Sequence, residues 1–277
     1  MDEEYAGDGR ERGGVAPAVA PNGAPTGAPV DGRNAAPYTD LAGVYDRLMA
    51  DIEYDEWAAF IVRTAARRGL PSGSAGSGLL DLGCGTGNAT LPMWELGYEV
   101  EGLDASSAML AAARKKLPGI VFHLDTFEEF SLGRRFQLVY SVFDALNNLL
   151  TEAAFARCLA RVRDHLVPGG VFMFDVNTPT GLRELWLDGV SEGWADDVYY
   201  RWTHTYDEES GLATVEAYCE TGEGSFVEVH QERGYATPDL VRLLAAAGFA
   251  DVAVIEYPDG QPARPDAERV WVVASSP

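Results

Sequence analysis

Three glycines at alternate positions, Gly83, Gly85 and Gly87, follow an apolar run in "LLDLGCGTGNATL" (79–91). Glycines spaced in this way after a strand let the main chain approach a nucleotide closely. An acidic residue about 20 positions later can bond the ribose hydroxyls, and Asp104 lies 21 positions after Gly83. Turns of this kind bind both nicotinamide or flavin dinucleotides and S-adenosylmethionine. The glycines therefore predict a nucleotide cofactor without choosing between the two.

Three polar residues around this turn favour the sulfonium cofactor. Asp81 comes two residues before Gly83, where its charge would repel a pyrophosphate but attract an ammonium group and a cationic sulfur. Asn88 stands where the third glycine of GxGxxG belongs. Asp125, in "FHLDTFEEF", is placed to accept a hydrogen bond from the adenine amine. We therefore expect S-adenosylmethionine, and keep an NAD-dependent oxidoreductase as the alternative.

Methyl transfer from a sulfonium depends mostly on alignment, and it needs a base only when the nucleophile must lose a proton. Asp144 and Asn148, in "FDALNN", are candidates to hold the acceptor. In "FVEVHQERGY" the strand period places His230 between Glu228 and Glu232 on one face. Nearby negative charge raises the basicity of a histidine, so we predict His230 as a general base, with His204 as the second candidate.

The sequence offers only a weak metal signal. Asp144, Asp175 and Asn177 carry oxygen ligands of the kind that Mg²⁺ prefers, but their spacing lacks the adjacent Asp-Asn pair expected of a methyltransferase metal site. The three cysteines are widely separated and form no CxxC pair. We expect neither a metal nor a disulfide.

Strand-like and helix-like segments alternate between residues 79 and 177, a pattern typical of right-handed βαβ units and a parallel sheet. After Asn177 the segments "VYYRWTHTYD", "LATVEAYCETG" and "SFVEVHQERGY" alternate with period two and predict three antiparallel strands. Their aromatic residues, Tyr200 and Trp202 among them, could stack on a substrate or could pack the strands onto the sheet. We predict a three-layer α/β sandwich with a seven-stranded, mostly parallel sheet and an antiparallel insertion as a lid.

The chain divides by composition into five segments. Residues 1–37 are rich in Ala, Gly and Pro and are predicted to form a disordered tail, because they cannot bury enough apolar surface. The folded part should comprise a helical cap (38–70), a cofactor-binding core (79–177), the lid (195–236), and a final helix with strands (237–277).

The charge balance excludes several kinds of partner. The 277 residues include 43 Asp and Glu against 21 Lys and Arg, a net charge of -22, which disfavours nucleic acid and anionic lipid surfaces. The chain lacks an apolar run long enough to span a bilayer. We expect a soluble cytoplasmic protein with a small-molecule substrate, and we consider a homodimer formed through the tail and front helices.

The motifs taken together resemble one superfamily. "LLDLGCGTGNATL", "VEGLDASSAMLAAARKK", "FHLDTFEEF" and "FQLVYSVFDALNNLL" resemble the class I S-adenosylmethionine-dependent methyltransferases. "YDRLMADIEYDEWAAFI" and "FVEVHQERGYATPDLVRLLAAAGF" look like a bacterial small-molecule branch, so the resemblance covers about residues 38–274. It implies the Rossmann-like methyltransferase fold and transfer of a methyl group to nitrogen, carbon or oxygen, with S-adenosylhomocysteine as product. An aromatic or heteroaromatic metabolite is the expected acceptor, and a non-catalytic cofactor-binding protein is the other hypothesis.

The resemblance also implies a role for each matching residue. The methionine part would be bound after the first strand, by Asp81, Gly83, Cys84 and Gly85. The nucleoside would be bound after the second and third strands, by Asp104, Ala105, Met109, Asp125, Thr126 and Phe127. Tyr45 and Trp57 would close over the cofactor, and Ser141 and Val142 would lie beneath the methyl group. The acceptor would contact Phe143, Asn148, Tyr200 and Trp202. Met109 and Trp57 could equally be core residues.

Overall fold

The computed structural model describes residues 36–70, 78–186 and 189–277. The predicted disordered tail falls outside the described residues up to position 35, as does the predicted connector from 71 to 77. In the described ranges, no helix has both the length and the apolar character needed to cross a membrane.

The main sheet has eight strands in the order β11-β10-β12-β5-β4-β1-β2-β3. The first five strands in the chain pair in parallel, whereas the last three are antiparallel to their neighbours. The strands are β1 Leu79–Leu82, β2 Val100–Asp104, β3 Val121–Leu124, β4 Phe136–Ser141, β5 Leu166–Asn177, β10 Ala250–Glu256, β11 Gln261–Pro262 and β12 Arg269–Ser275. The predicted α/β sandwich is confirmed, and the additional eighth strand is the two-residue β11.

Helices cover both faces of this sheet. They are α2 Tyr54–Ala66, α3 Thr90–Glu95, α4 Ser107–Lys116, α5 Glu152–Asp164, α6 Pro179–Leu185 and α7 Thr237–Ala246. A further one-turn helix, α1 Tyr45–Leu48, packs on the inserted sheet described below. Strand β5 shows how the two faces are built: Phe172 and Phe174 pack into one hydrophobic cluster, and Val171 and Met173 into the other. Successive side chains of a strand point to opposite faces, so a run without polar residues fills both cores.

The insertion after β5 is a separate antiparallel sheet in the order β6-β7-β8-β9. Its strands are β6 Gly189–Ala195, β7 Val198–Asp207, β8 Leu212–Thr221 and β9 Gly224–Arg233. The prediction of three strands was wrong by one, and the lid begins at residue 189 rather than 195. Strand β6 was missed because "GVSEGWA" contains two glycines and lies mostly exposed at the sheet edge, so it has no alternating apolar pattern.

The front of the chain contains less helix than its spacing predicts. The first half of the predicted helical cap (38–70) contains only a 3₁₀ turn, Leu41–Gly43, and the one-turn α1. Their apolar side chains pack against the inner face of the antiparallel sheet. The cluster comprises Leu41, Val44, Leu48, Met49, Val198, Tyr200 and Cys219. The lid and the front segment thus share one small core at the carboxyl edge of the main sheet.

Candidate active site

Asp81 ends the apolar strand β1 as a fully buried carboxylate. Its Oδ2 accepts a hydrogen bond from the Thr90 hydroxyl at 2.6 Å, whereas its Oδ1 is buried without a donor. Burial raises the pKa of Asp81 to about 7, and the hydrogen bond from Thr90 only partly opposes this shift. A buried carboxylate oxygen without a partner is costly, so this side chain is suited to receive a cationic group.

The turn after β1 brings the main chain close to two side chains. Gly83 has φ +82°, and a Cβ there would lie 3.0 Å from the Phe127 ring and 3.0 Å from the Ala145 Cβ. Gly85 also has a positive φ, +53°, but a Cβ at that position would meet open space. The glycines thus meet two different needs. Gly83 allows close packing under Phe127, and Gly85 allows a left-handed turn that leaves room in front of it.

Asp104, at the end of β2, holds the glycine turn and the start of α4 together. Its Oδ2 accepts the N–H of Gly85 at 2.9 Å, and its Oδ1 accepts the N–H of Ser106 at 2.8 Å. The N–H of Asp125 donates to the Asp104 carbonyl at 3.2 Å, so the two predicted nucleoside carboxylates follow adjacent strand ends. The Asp125 carboxylate accepts the N–H of Thr126 at 2.8 Å.

Several predicted cofactor contacts have additional structural roles. The Cys84 side chain packs in a hydrophobic cluster with Leu110 and Phe122, and its N–H and carbonyl are hydrogen-bonded to Leu103 and Gly87. Met109 is buried in the first turn of α4, Ala105 is exposed, and the Ser141 hydroxyl donates to the Leu82 carbonyl at 2.6 Å.

The front aromatic residues lie at the same edge of the sheet. Burial raises the pKa of Tyr45 well above its ordinary value, and Tyr54, Tyr38, Asp144 and Asp104 act on it in the same direction. The Trp57 ring packs on Trp271 and Phe143, with centroids 6.0 and 5.8 Å away. Trp57 is therefore a core residue that also supports Phe143.

The loop after β4 carries an ion-pair cluster. Phe143 and Asp144 both adopt a left-handed conformation, with φ 61° and 50°. Arg269, the first residue of β12, binds the Asp144 Oδ1 at 2.8 Å and the Asp175 Oδ2 at 3.1 Å. The Asn177 side-chain amide donates to the Asp144 Oδ2 at 2.6 Å. The cluster thus joins the ends of β4 and β5 and the start of β12.

This cluster contains more carboxyl groups than cations. Arg269 pairs with Asp144 and Asp175, and buried Glu232 of β9 lies close enough to act electrostatically on all three. Burial raises the pKa of Asp175 to about 6, although Arg269 opposes the shift. Burial also raises the pKa of Glu232 well above its ordinary value. Three acceptor oxygens here are buried without a donor: Asp175 Oδ1, Asn177 Oδ1 and Glu232 Oε2.

The lid places both predicted histidines on its inner face. The predicted alternation of β9 is confirmed, because Glu228, His230 and Glu232 are buried. His230 and His204 are each paired with Val215 across the sheet, which places them about 10 Å apart in one row. His230 lies 4.6 Å from the Tyr38 ring. His204 packs against Trp186 instead, at 5.4 Å, and burial lowers its pKa.

The predicted acceptor contacts divide into two groups. Phe143 and Asn148 lie beside the ion-pair cluster: the Phe143 ring is 5.7 Å from the Arg269 guanidinium. The Asn148 amide donates to the Ala145 carbonyl at 3.1 Å and lies close enough to the Tyr38 phenol to oppose the rise in its pKa that burial causes. Tyr200 and Trp202 form an aromatic pair, 5.3 Å apart, that packs in the core shared with the front segment. These two residues therefore stabilise the lid by packing.

The three residues considered as magnesium ligands, Asp144, Asp175 and Asn177, lie beside a cation that the chain itself supplies. Asp144 and Asp175 both pair with Arg269, and Asn177 hydrogen-bonds Asp144. Across the part of the chain that the structure describes, no group of three or more His, Cys, Asp or Glu side chains is arranged to hold a metal ion.

Sequence reasoning missed Thr90, Arg269 and Tyr38, and it placed Glu228 beside His230 without predicting its main-chain partners. A lone cation that opens the otherwise apolar strand "RVWVVAS" was a usable signal for Arg269. Because β12 runs antiparallel to β5, its first residue lies at the carboxyl edge of the parallel strands. The partners of Tyr38 and Glu228 are distant in sequence, so no local pattern indicated them.

Comparison with known proteins agrees with this geometry. A methyltransferase domain model matches residues 79–170. The Bacillus subtilis (strain 168) protein YqeM is 29% identical over 220 residues, 76% of this chain and 86% of its own length. The dTDP-3-amino-3,6-dideoxy-alpha-D-glucopyranose N,N-dimethyltransferase of Streptomyces fradiae is 38% identical over 97 residues, 35% of this chain and 38% of that protein.

A solved structure matches over most of the fold. It is an S-adenosylmethionine-dependent methyltransferase from Clostridium acetobutylicum ATCC 824, with TM-score 0.73, 25% identity, and coverage of 85% of this chain and 97% of that one. The glycine turn, the orphaned Asp81 oxygen and the paired strand-end carboxylates fit S-adenosylmethionine and not a pyrophosphate. The chain therefore contains a methyltransferase domain and is an S-adenosylmethionine-dependent methyltransferase enzyme.

Proposed function

We propose that this enzyme transfers the methyl group of S-adenosylmethionine to an amine nitrogen of a small molecule. The observation that carries the proposal is the cluster of unpaired buried acceptors, Asp175 Oδ1, Asn177 Oδ1 and Glu232 Oε2, around one arginine. One buried donor, the Arg269 Nε, also lacks a hydrogen-bond acceptor, so the unpaired acceptors outnumber the unpaired donors of the cluster by three to one, and its carboxyl groups outnumber its single cation. An ammonium or amine supplies donors and positive charge, whereas a carboxylate or phosphate acceptor would add to the excess negative charge.

The similarity to known proteins supports a nitrogen acceptor. The Streptomyces fradiae relative is named as an N,N-dimethyltransferase of an amino sugar nucleotide. The net charge of -22 also suits a cationic acceptor better than nucleic acid or an anionic membrane. We extend the proposal to a cytoplasmic location and to a homodimer. Size-exclusion chromatography with light scattering would test the homodimer.

The reaction is an in-line displacement. The amine lone pair attacks the methyl carbon, the carbon–sulfur bond breaks, and its electron pair goes to sulfur to give S-adenosylhomocysteine. An amine that arrives protonated must first lose a proton. Asp144 would hold the amine, and His230 or Glu232 would accept the proton, since carboxyl groups whose pKa is raised by burial are stronger bases. His204 is the weaker candidate because it packs between Trp186 and Trp202.

A matched pair of acceptors tests the proposal. Purified enzyme is incubated with methyl-labelled S-adenosylmethionine and either an amino sugar or the same sugar with hydroxyl in place of the amine, across a panel of such pairs. We expect label in the amine product, with a mass increase of one methylene, and none in the hydroxyl analogue. Methylation of hydroxyl or carbon acceptors in preference to their amine counterparts would overturn the assignment.

The panel is completed by variants of the acidic cluster. Glu232→Gln and Asp144→Asn should raise the KM for the amine and leave the Kd for S-adenosylhomocysteine near its original value. Glu216→Gln, on the exposed face of β8, is the matched control. If all three variants change the KM for the amine by the same factor, the acidic cluster does not bind the acceptor.

A further inference from the structure

The carboxylate of Glu228 accepts the main-chain N–H groups of four consecutive residues at the front of the domain. Its Oε2 accepts from Tyr38 at 2.7 Å, and its Oε1 accepts from Thr39, Asp40 and Leu41 at 3.0, 2.6 and 3.0 Å. The Glu228 side chain is completely buried. These N–H groups replace the water that a buried carboxylate loses, and without them its burial would be prohibitively costly.

The same front segment is attached to the cofactor-binding end of the sheet. The hydroxyl of Ser106, two residues after Asp104, donates to the Tyr38 carbonyl at 2.6 Å. We call residues 38–46 the strap. At its other end Asp46 accepts the hydroxyl of Thr86, in the glycine turn, at 2.6 Å. Asp46 also pairs with Lys116 of α4 at 2.6 Å. The strap therefore connects β9 of the lid with the glycine turn and with the residue next to the ribose-binding carboxylate.

The strap also carries Tyr38 to the acceptor end. The Tyr38 ring packs on His230 with the ring centroids 4.6 Å apart, and Asn148 lies close to its phenol. Glu232 and Asp144 lie close enough to act on the same phenol electrostatically. Tyr38 itself adopts a left-handed conformation, with φ 61°. A non-glycine residue holds such a conformation only when its surroundings enforce it, and the N–H group of Tyr38 is one of the four bound by Glu228.

We propose that Glu228 is a positioning residue that acts through Tyr38: it fixes the strap across the cofactor and acceptor ends and so sets the affinity of the site for its cofactor. Glu228 touches neither cofactor nor acceptor in this assignment, but its Oε2 lies 3.2 Å from the Nε2 of His230, so the test reads cofactor affinity, which does not require proton transfer to His230. The inference depends on cofactor binding at the glycine turn and not on the identity of the acceptor. A failure of the amine proposal would therefore leave it intact.

The test compares Glu228→Gln with Glu216→Gln in the full chain. Glutamine keeps the size of the side chain, but its NH₂ group faces main-chain N–H donors that need an acceptor. We expect the Kd for S-adenosylhomocysteine to rise about tenfold in Glu228→Gln, within the usual range of coupling between two sites. Hydrogen exchange in peptides covering residues 36–49 should accelerate, with exchange in β1, β4 and β5 unchanged. Glu216→Gln should change neither quantity.

A double variant, in which Glu228→Gln is combined with Tyr38→Ala, distinguishes a positioning role of Glu228 from a general loss of stability. If Glu228 acts through Tyr38, then Glu228→Gln added to Tyr38→Ala should raise the Kd no further than Tyr38→Ala alone. If Glu228→Gln weakens binding through a loss of stability unrelated to the strap, its effect on the Kd should add in full to that of Tyr38→Ala. An unchanged Kd in Glu228→Gln, or strictly additive effects in the double variant, would overturn the proposal. If Glu228→Gln does not fold, Glu228→Asp, whose shorter carboxylate keeps the charge, provides the same comparison.

Discussion

The Thr90 hydroxyl donates to the Asp81 Oδ2 at 2.6 Å and leaves the Oδ1 of the same buried carboxylate without a donor. Strand β1 fixes the carboxylate, and α3 supplies the hydroxyl that orients it. The pKa of about 7 means that this carboxyl is about half protonated at neutral pH while no cation is near. A cofactor ammonium at the free oxygen would favour the charged form.

The first prediction concerns this carboxyl and pH. The affinity for S-adenosylhomocysteine should increase as pH rises through about 7, and binding should release protons, because the ammonium selects the ionised carboxylate. Calorimetry in two buffers of different ionisation enthalpy measures the protons directly. Asp81→Asn should weaken binding at least tenfold, about 1.4 kcal/mol, and should abolish the proton release. Identical Kd values on either side of neutral pH would contradict the assignment.

The same carboxyl also affects the stability of the free enzyme. Its folded pKa lies above its unfolded value of 3.8, so its contribution to stability is complete below the unfolded pKa. That contribution is lost as pH rises through about 7. We expect the free energy of unfolding to fall over this window in the wild type and to change less in Asp81→Asn, as measured by urea denaturation.

A second prediction concerns Asp104, the carboxylate that we expect to bind the ribose. Asp104→Ala removes both the predicted ribose contact and the acceptor for Gly85 and Ser106, so the Kd for S-adenosylhomocysteine should rise at least tenfold, about 1.4 kcal/mol. Asp104→Asn keeps one acceptor oxygen and should lose less. An unchanged Kd in the alanine variant would refute the ribose assignment.

A third prediction separates two glycines of the turn. Gly83→Ala places a methyl group 3.0 Å from Phe127 and Ala145, whereas Gly85→Ala meets open space. Both positions have positive φ, but the +53° of Gly85 lies within the left-handed region open to alanine and the +82° of Gly83 lies beyond it, so backbone strain and the close contact both disfavour alanine at position 83. Gly83→Ala should lower the free energy of unfolding of the cofactor-free protein by about 1–3 kcal/mol more than Gly85→Ala. Equal losses of unfolding free energy in the two variants, measured by urea denaturation, would mean that the Phe127 ring moves aside without an energetic penalty.

A fourth prediction addresses the general base. His230→Gln should lower kcat by about 100-fold if the ring accepts the proton, while the Kd for S-adenosylhomocysteine stays the same. His204→Gln, on the same face of the lid sheet, should keep most of kcat. A full kcat in His230→Gln would assign the ring a packing role against Tyr38 and would leave Glu232 as the proton acceptor.

A fifth prediction uses the buried cation. Arg269→Met leaves Asp144, Asp175 and Glu232 without their guanidinium and should cost about 3–5 kcal/mol of folding free energy. The loss should shrink as pH falls, because the carboxyl groups then become neutral. Arg264→Met removes an ion pair with Glu256 from an arginine that is 70% exposed, and should cost little. A loss in Arg269→Met that is independent of pH would show that the charge cluster does not cause it.

Local patterns were enough to predict the main sheet. Apolar runs such as "LLDL" and "GVFMFDV", followed by glycine or polar residues, fix each parallel strand and its carboxyl end, and residues after those ends meet at one edge. Asp81, Asp104 and Asp125 could be predicted for that reason, since each is a charge that ends an apolar strand. The two-residue periodicity of β9 likewise predicted which face carries His230.

The sequence alone determined the α/β class, the glycine turn and the strand-end carboxylates, because these depend on contacts between near neighbours. The tertiary structure decided which charged groups form ion pairs and hydrogen bonds with one another. Arg269 meets Asp144 only through the antiparallel pairing of β12 with β5, and Glu228 meets Tyr38 across 190 positions of sequence. No spacing rule reports such contacts, because they are set by how the lid packs onto the front segment.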